Sequence, residues 1–319
     1  MDRVKIAFIG AGAMANAVHY PSLSNIEDAE IVGIADLIEE RLKQTAEKYK
    51  IEKTFTDYKK LIEKTAPDAV YIIMPPHHLY DIAVYCISLG LHIFIEKPPG
   101  VTKEQTRQLA RHAEKKGVFT MTGFQRRFAP VIVAAKKRIE ERGGVLHCQA
   151  NFFKNYINQP PYYNGAIDIL TSDAIHSVDI LRWMAGEPKK VVSIVKSIGA
   201  EYDNCFYAII EFENGSTGFL SANWVSGKRI YSVEMHGKGI CAFADPEESA
   251  VIYKDGAQEG EIIKAKEITG SDQLFRIAGF YDENKHFVEC IKTKKLPQTH
   301  FGDSFKTMEF VDRIYHSLL

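Results

Sequence analysis

Cysteine is scarce in this chain. Five residues, Cys86, Cys148, Cys205, Cys241 and Cys290, are scattered over 319 positions, and no two stand in a Cys-x-x-Cys spacing. An odd, dispersed set argues against a disulfide framework and against a zinc ribbon, and makes a reducing cytoplasm the expected compartment. Surplus charge of either sign is also missing. Lys and Arg number 40 against 41 Asp and Glu, for a formal net charge of −1. No global field is therefore available to draw nucleic acid or an anionic membrane. The basic runs at 136–138 and 292–295 read as solvated helix faces. No run of about 18 apolar residues occurs, so no membrane span is expected. The first apolar run is too short for a signal peptide and reads as a strand. Internal repeats and low-complexity segments are absent as well.

What remains is the composition of an ordinary soluble protein, 45% hydrophobic and 25% charged, long enough for two domains with their own cores. The chain is organised around its beginning. Val4 to Ile9 is a short apolar run that leads into Gly10-Ala11-Gly12-Ala13-Met14-Ala15 and then a helical stretch to about His19. In a Gly-x-Gly-x-x-Ala turn of this kind, Gly10 allows the tight exit from the strand. Gly12 lets a pyrophosphate approach the backbone, and Ala15 lets the helix lie close on the strand. N–H groups at the helix start, around Ala13 and Met14, then face the phosphates. The glycine pattern alone fits many unrelated turns. Here it follows a strand, opens a helix, and is followed by a second strand, 30–35, that ends at Asp36, 21 residues after Ala15. That is close to the spacing of a carboxylate on the adenosine ribose. Leu37 and Ile38 offer no cation to a 2′-phosphate, although Arg41 lies one helical turn on, so NAD is expected over NADP.

Strand and helix patterns alternate through the first 120 residues. Helices are expected over 39–49, from Asp57 through Ile62, over 78–89, and from a Thr102 cap with Gln105 completing a capping box. Strands are expected at 69–74, 91–95 and 118–121. Right-handed crossovers make these a doubly wound parallel sheet. The texture changes near Gly123. A helix to about Arg142 follows, then Gly143-Gly144, a long strand from Val145, and one helix over 171–185. Strand-like runs then stand at 191–197, 205–212, 217–222, 231–236 and 250–253, with Asn214-Gly215 as a hairpin turn. Two helical patterns, 273–291 and 304–318, end the chain. The expected architecture is α/β: a dinucleotide-binding domain over 1–122, then an α+β domain over 123–319 with a large, mostly antiparallel open sheet. The C-terminal helix is a candidate to pack back on the first domain.

Three further motifs carry a resemblance. Glu96-Lys97-Pro98 follows the strand at 91–95. Gly123-x-x-x-Arg127-Phe128-x-Pro130 and Asp173-x-x-His176-x-x-Asp179 come later. With the glycine turn and Asp36, they make the chain resemble, over essentially its whole length, the glucose-fructose oxidoreductase / inositol dehydrogenase / rhizopine catabolism family (Gfo/Idh/MocA). The resemblance implies a Rossmann domain, a sugar-binding α/β domain, and hydride transfer between nicotinamide and a secondary alcohol of a sugar, cyclitol or related polyol. It implies that Lys97 and His176 serve the substrate, with Asp173 beside them. Met74, Pro75, Glu96, Lys97 and Gln125 would join Gly10, Gly12, Ala13, Met14, Ala15, Asp36 and Arg41 around the cofactor. Arg127, Phe153 and Tyr156 would contact the substrate, the last two from an aromatic and amide run, 151–156, that suits a carbohydrate platform. A strand or interface role for those rings is an equal alternative.

The pattern is not complete. Many members carry the acid four residues before the histidine, where this chain has Ser172, and its acid is Asp173. The usual Thr-Pro-Asn reads Met74-Pro75-Pro76, and a common histidine is Leu79. His77 and His78 read as helix-start residues, and no metal is expected. Two other functions fit the same motifs: a glycoside hydrolase that retains its NAD, and a non-catalytic sugar sensor. The strand aromatics Phe206, Tyr207, Phe219, Trp224 and Tyr231 suggest an open sheet face that pairs in a homodimer or homotetramer.

Overall fold

The computed structural model describes residues 3–319, which divide into two compact units. The first comprises the chain to Phe124 with 274–276 and 280–305, and the second comprises 125–273, 277–279 and 306–319.

Six parallel strands form the sheet of the first unit: β1 (Val4–Ile9), β2 (Ala29–Ala35), β3 (Thr54–Phe55), β4 (Ala69–Ile72), β5 (His92–Glu96) and β6 (Thr120–Gly123). Their order is β3-β2-β1-β4-β5-β6, so the winding reverses between β1 and β4. The central strands are apolar on both faces because helices cover both. All four residues of β4 are buried, as parallel sheets require. α1 (Tyr20–Ser24), α2 (Glu39–Tyr49), α3 (Tyr58–Thr65), α4 (Leu79–Ser88) and α5 (Lys103–Lys116) make the crossovers. Asp57 caps α3 by accepting from the Lys59 N–H. Thr102 caps α5 through Gln105 N–H. The Gln105 side chain reaches back one residue further than a capping box demands, to the N–H of Val101 at 2.9 Å. Between the glycine turn and α1 the helix takes a π-turn, Ala15–His19, closed by the Tyr20 N–H on the Ala15 carbonyl.

In the second unit eight strands form one open sheet: β7 (His147–Asn155), β8 (Pro188–Lys196), β9 (Cys205–Phe212), β10 (Thr217–Asn223), β11 (Val225–Gly237), β12 (Ile240–Asp245), β13 (Ser249–Lys254) and β14 (Glu261–Lys264). Their order is β14-β13-β12-β11-β7-β10-β9-β8, antiparallel except for β10 beside β7. α6 (Pro130–Glu140) packs on β11, β12 and β13, and α7 (Ile175–Ala185) packs on β7 and β10.

Several sequence expectations need correction here. β3, β12 and β14 are strands that the sequence pattern does not announce: β3 has two residues, β12 alternates buried Ile240, Ala242 and Ala244 with Cys241, Phe243 and Asp245, and β14 is a short, exposed edge. The helix expected over 171–185 begins as a second π-turn, Leu170–Ala174, before α7. A short helix, α8 (Ala265–Thr269), precedes the stretch expected as one helix over 273–291. That stretch is two, α9 (Leu274–Ile277) and α10 (Phe280–Thr293). Gly279 separates them at φ +93°, where an added Cβ would lie 2.5–2.6 Å from backbone atoms of residues 125–129. The last helix is α11 (Phe301–His316).

The aromatic residues assigned to an open sheet face also divide. Phe206, Trp224 and Tyr231 are fully buried. The paired row Phe206–Ala222–Phe152–Tyr231 lies on the face that α7 covers. Tyr207 and Phe219 point the other way. Their face carries a row of paired residues across all eight strands, Val192–Ile209–Phe219–Gln149–Glu234–Phe243–Val251–Ile262.

Candidate active site

In the first unit the turn after β1 sits at the carboxyl edge of the sheet, where β1 meets β2 and β4. The Gly10 N–H donates to the Ala35 carbonyl at 2.8 Å. Gly10 has φ +117°, and a Cβ there would fall 2.1 Å from the Ile73 carbonyl oxygen, so no other residue fits. Gly12 is the opposite case: an added Cβ would meet nothing within 4 Å. That open approach to the backbone suits a pyrophosphate. Ala15 is buried and Met14 is exposed. Asn16, to which the sequence reading gave no role, fixes the turn. Its amide donates to the carbonyls of Ala11 and Gly12 at 3.0 and 3.2 Å and to Thr45 Oγ1 at 2.9 Å.

Asp36 leaves β2 beside this turn. One carboxylate oxygen accepts the Ala11 N–H at 2.7 Å and the other accepts the Ile38 N–H at 2.9 Å. The carboxylate is thus fixed at the mouth of the turn, with lone pairs left for ribose hydroxyls. Arg41, in the first turn of α2, and Pro75 are exposed, and Met74 is half-buried. Together these groups fit a dinucleotide across the point where the sheet reverses its winding.

Lys97 leaves β5 at the same sheet edge, half-buried, with a cis peptide bond to Pro98. Glu96, expected beside the cofactor, turns inward instead. It is 8% exposed. Its Oε1 meets His19 Nε2 at 2.9 Å, and its Oε2 accepts the Lys97 backbone N–H at 3.2 Å.

In the second unit α7 carries His176, Asp179 and Arg182. Nearly every residue of this helix is buried, so its charges need partners inside the protein. Arg182 forks onto Glu187 at 2.8 and 3.0 Å. Arg127, read from the sequence as a substrate contact, forks onto Asp179 through Nε at 2.7 Å and Nη2 at 2.5 Å. Thr307 also donates to Asp179, at 2.8 Å. Asp179 is therefore taken up by Arg127 and Thr307.

Asp173 lies in the π-turn before α7. Its Oδ2 accepts from Lys154 and from the Tyr162 hydroxyl at 3.0 Å, and the Trp224 indole N–H donates to the same hydroxyl at 2.7 Å. Burial, with the Asp173 charge adding to it, pushes the Tyr162 phenol far above its usual range. The Lys154 ammonium sits 5.0–5.8 Å from the ring centres of Phe152, Trp224 and Tyr162. Phe153, expected beside the substrate, lies on the sheet face opposite α7. Side chains alternate along β7, so Phe152 and Lys154 share the α7 face while Phe153 opposes Ile230 on the other. Tyr156 rejoins the α7 side, edge-on to Tyr162 at 4.9 Å. Lys154 belongs to the aromatic and amide run already noted; only strand parity singles it out. Gln125 is buried, and its side-chain oxygen has no partner among the described residues. Nowhere among the described residues do three His, Cys, Asp or Glu side chains gather as metal ligands, and no described helix is long and apolar enough to cross a membrane.

Comparison with known proteins agrees with this geometry. A model of an oxidoreductase family with an NAD-binding Rossmann fold matches residues 4–124, and the GFO/IDH/MocA C-terminal domain matches 132–239. The chain is 26% identical over 310 residues to scyllo-inositol 2-dehydrogenase (NAD(+)) of Bacillus subtilis (strain 168), a match covering 92% of this chain and 88% of that protein. It is 25% identical over 314 residues to myo-inositol 2-dehydrogenase of Thermotoga maritima, covering 92% and 90%. A levoglucosan dehydrogenase solved with NADH and levoglucosan shares the fold, with a TM-score of 0.86 at 20% identity over 99% of this chain and 97% of that one. The two family matches span well over half of the sequence. The chain is an NAD-dependent oxidoreductase and belongs to the GFO/IDH/MocA family.

Proposed function

We propose that the protein oxidises a secondary alcohol of a sugar, cyclitol or related polyol, with Lys97 and His176 serving the reacting hydroxyl. The observation that carries the reading is the position of Lys97, at the carboxyl edge of the sheet that also presents the glycine turn and Asp36. The inositol dehydrogenases among its relatives support the substrate class. NAD, when bound, supplies the acceptor for the hydride that leaves the alcohol carbon. The hydroxyl proton passes to the imidazole of His176, and the carbon–oxygen bond becomes a carbonyl, so the alcohol loses one hydride and one proton. Lys97 hydrogen-bonds the oxygen while its negative charge develops, a term often worth about 3–4 kcal/mol per donor. A placed base adds roughly 10²–10⁴ in rate. Lys154 and Asp173, both acting from the α7 side of the sheet, are the groups best suited to read neighbouring hydroxyls.

Lys97→Ala and His176→Ala are expected to cut hydride transfer in stopped flow by orders of magnitude while NAD affinity stays near wild type. Normal hydride transfer in His176→Ala would place the base elsewhere. A panel of polyols and aldoses assayed for NADH identifies the substrate. Glycoside cleavage without net NADH would favour a hydrolase that retains its cofactor.

The same reading includes assembly as a homodimer or homotetramer through the open sheet face. Val192, Ile209, Phe243 and Ile262 on that face are each 39–59% exposed, a band of apolar surface that a solvated face seldom carries. A monomer mass in light scattering at micromolar concentration would count against it. A reducing compartment such as the cytoplasm suits the five thiols, none of them in a disulfide.

A further inference from the structure

We infer that His19 is a positioning residue for Lys97, acting through the carboxylate of Glu96. The inference rests on Lys97 as the group that holds the substrate oxygen. His19 is fully buried, and both of its ring nitrogens are engaged. Nε2 meets Glu96 Oε1 at 2.9 Å. Nδ1 lies 3.2 Å from Nδ2 and 3.4 Å from Oδ1 of Asn284, whose amide also donates to the Phe280 carbonyl at 2.7 Å. An ionised carboxylate only accepts, so opposite Glu96 it is Nε2 of His19 that donates. Phe94, Phe280 and Tyr71 surround the ring at centroid distances of 5.1, 6.0 and 6.1 Å, which fixes its plane.

The receiving side is built to match. A carboxylate this deeply buried must be met by donors. Glu96 has His19 on one oxygen and the Lys97 N–H on the other. Gly123 lies opposite Glu96 in the sheet, and a Cβ there would press to within 3.0–3.1 Å of all three carboxyl atoms. The glycine leaves room for one carboxylate orientation, which His19 then fixes. The π-turn is a second, independent feature. Ala15–His19 closes an i→i+5 bond, and the extra residue turns position 19 towards β5. Single π-turns are uncommon and gather at functional sites. The helix that follows the glycine turn is thereby tied, through one imidazole and one carboxylate, to the backbone of the lysine proposed to hold the substrate.

The test compares His19→Phe, which keeps the ring volume and removes the donor, with His19→Gln, whose amide can reach Glu96. Lys97→Ala serves as reference. Each variant is melted to verify folding, titrated with NAD, and assayed for turnover of the polyol the wild type oxidises. His19→Phe is expected to lose at least tenfold in kcat with NAD affinity within about threefold of wild type, and His19→Gln to recover most of the loss. A folded His19→Phe with wild-type kcat, or one losing kcat and NAD affinity together, would overturn the inference. Should His19→Phe fail to fold, Glu96→Gln carries the same expectation, and an unchanged kcat there overturns it equally. Undiminished turnover in Lys97→Ala would instead show that the role given to Lys97 is wrong.

Discussion

Replacing Asp179 by alanine is expected to cost the second unit about 3–5 kcal/mol, because it leaves a buried guanidinium without its counter-charge. The side chains of Arg127 and Asp179 are only 5% and 1% exposed. Two nitrogens of Arg127 lie 2.7 and 2.5 Å from two oxygens of Asp179, the fork geometry that makes such pairs strong. At about 2–4 °C per kcal/mol for a body of this size, the loss corresponds to a fall in the unfolding midpoint of about 6–20 °C. The intact pair is not itself a large source of stability, since desolvating two charges offsets most of their attraction. Arg127→Met combined with Asp179→Leu should therefore recover most of what either single change loses. The sum of the single effects should exceed the double by more than one single effect, that is by over about 3 kcal/mol, at or above the top of the usual coupling between neighbours. Urea unfolding of the two singles and the double, with the KM for the polyol measured alongside, tests the assignment. An Arg127→Met variant that unfolds with the wild type but raises KM tenfold would refute it, because Arg127 would then be a substrate ligand.

Gly10→Ala should destabilise the first unit by more than the ~1–3 kcal/mol of backbone strain alone, since its Cβ also collides with the Ile73 carbonyl. Gly12→Ala should melt with the wild type yet weaken NAD binding, and equal melting losses in the two variants would contradict the roles given to these glycines. Asp36→Ala should reduce NAD affinity by roughly tenfold or more, as expected for lost charge-assisted hydrogen bonds, and narrow the gap to NADP; tighter binding of NADP than NAD by the wild type would contradict that account. Glu187 gives a pH dependence. The hydrogen bonds from Arg182, helped by Lys306, hold its carboxyl at about 2, below the usual 4.5. The ionised form is thus favoured on folding. The stability it adds is complete above pH 4.5 and is lost as pH falls towards 2, reduced in size by a side-chain exposure of 35%. Thermal midpoints of wild type and Glu187→Gln should differ most above pH 4.5 and converge below it, and a constant difference across that range would refute the account.

The first unit was legible because its signals are local. Apolar runs, the glycine turn, the caps at Asp57 and Thr102, and the acid ending β2 each act within a few residues of themselves. In the second unit the deciding facts are pairings between distant segments. β12 looks unremarkable in sequence because two of its three buried positions are alanines, Ala242 and Ala244, on a strand that packs against α6. An aromatic ring suggests a sugar platform, so the sequence points to Phe153 rather than to Lys154. The pairing of β7 with β11 then assigned the faces, and parity gave the α7 side to the lysine.

The same limit explains the uncertain acid near His176. An offset of three or four residues has a fixed meaning only on an α-helix. Both stretches that lead into site helices are π-turns, Ala15–His19 and Leu170–Ala174, and each takes one residue more per turn than the α-helical rule assumes. Position 173 therefore cannot be equated with, or ruled out from, a family position by counting back from 176. Its partners decide its role. The Asp173 carboxylate is taken by Lys154 and Tyr162, so its negative charge is already neutralised at close range before a substrate arrives. A carboxylate paired in this way makes a weak general base and a good acceptor for substrate hydroxyls. Under the mechanism proposed above, the proton of the reacting hydroxyl then falls to His176, and Asp173, with Lys154, would discriminate among polyols.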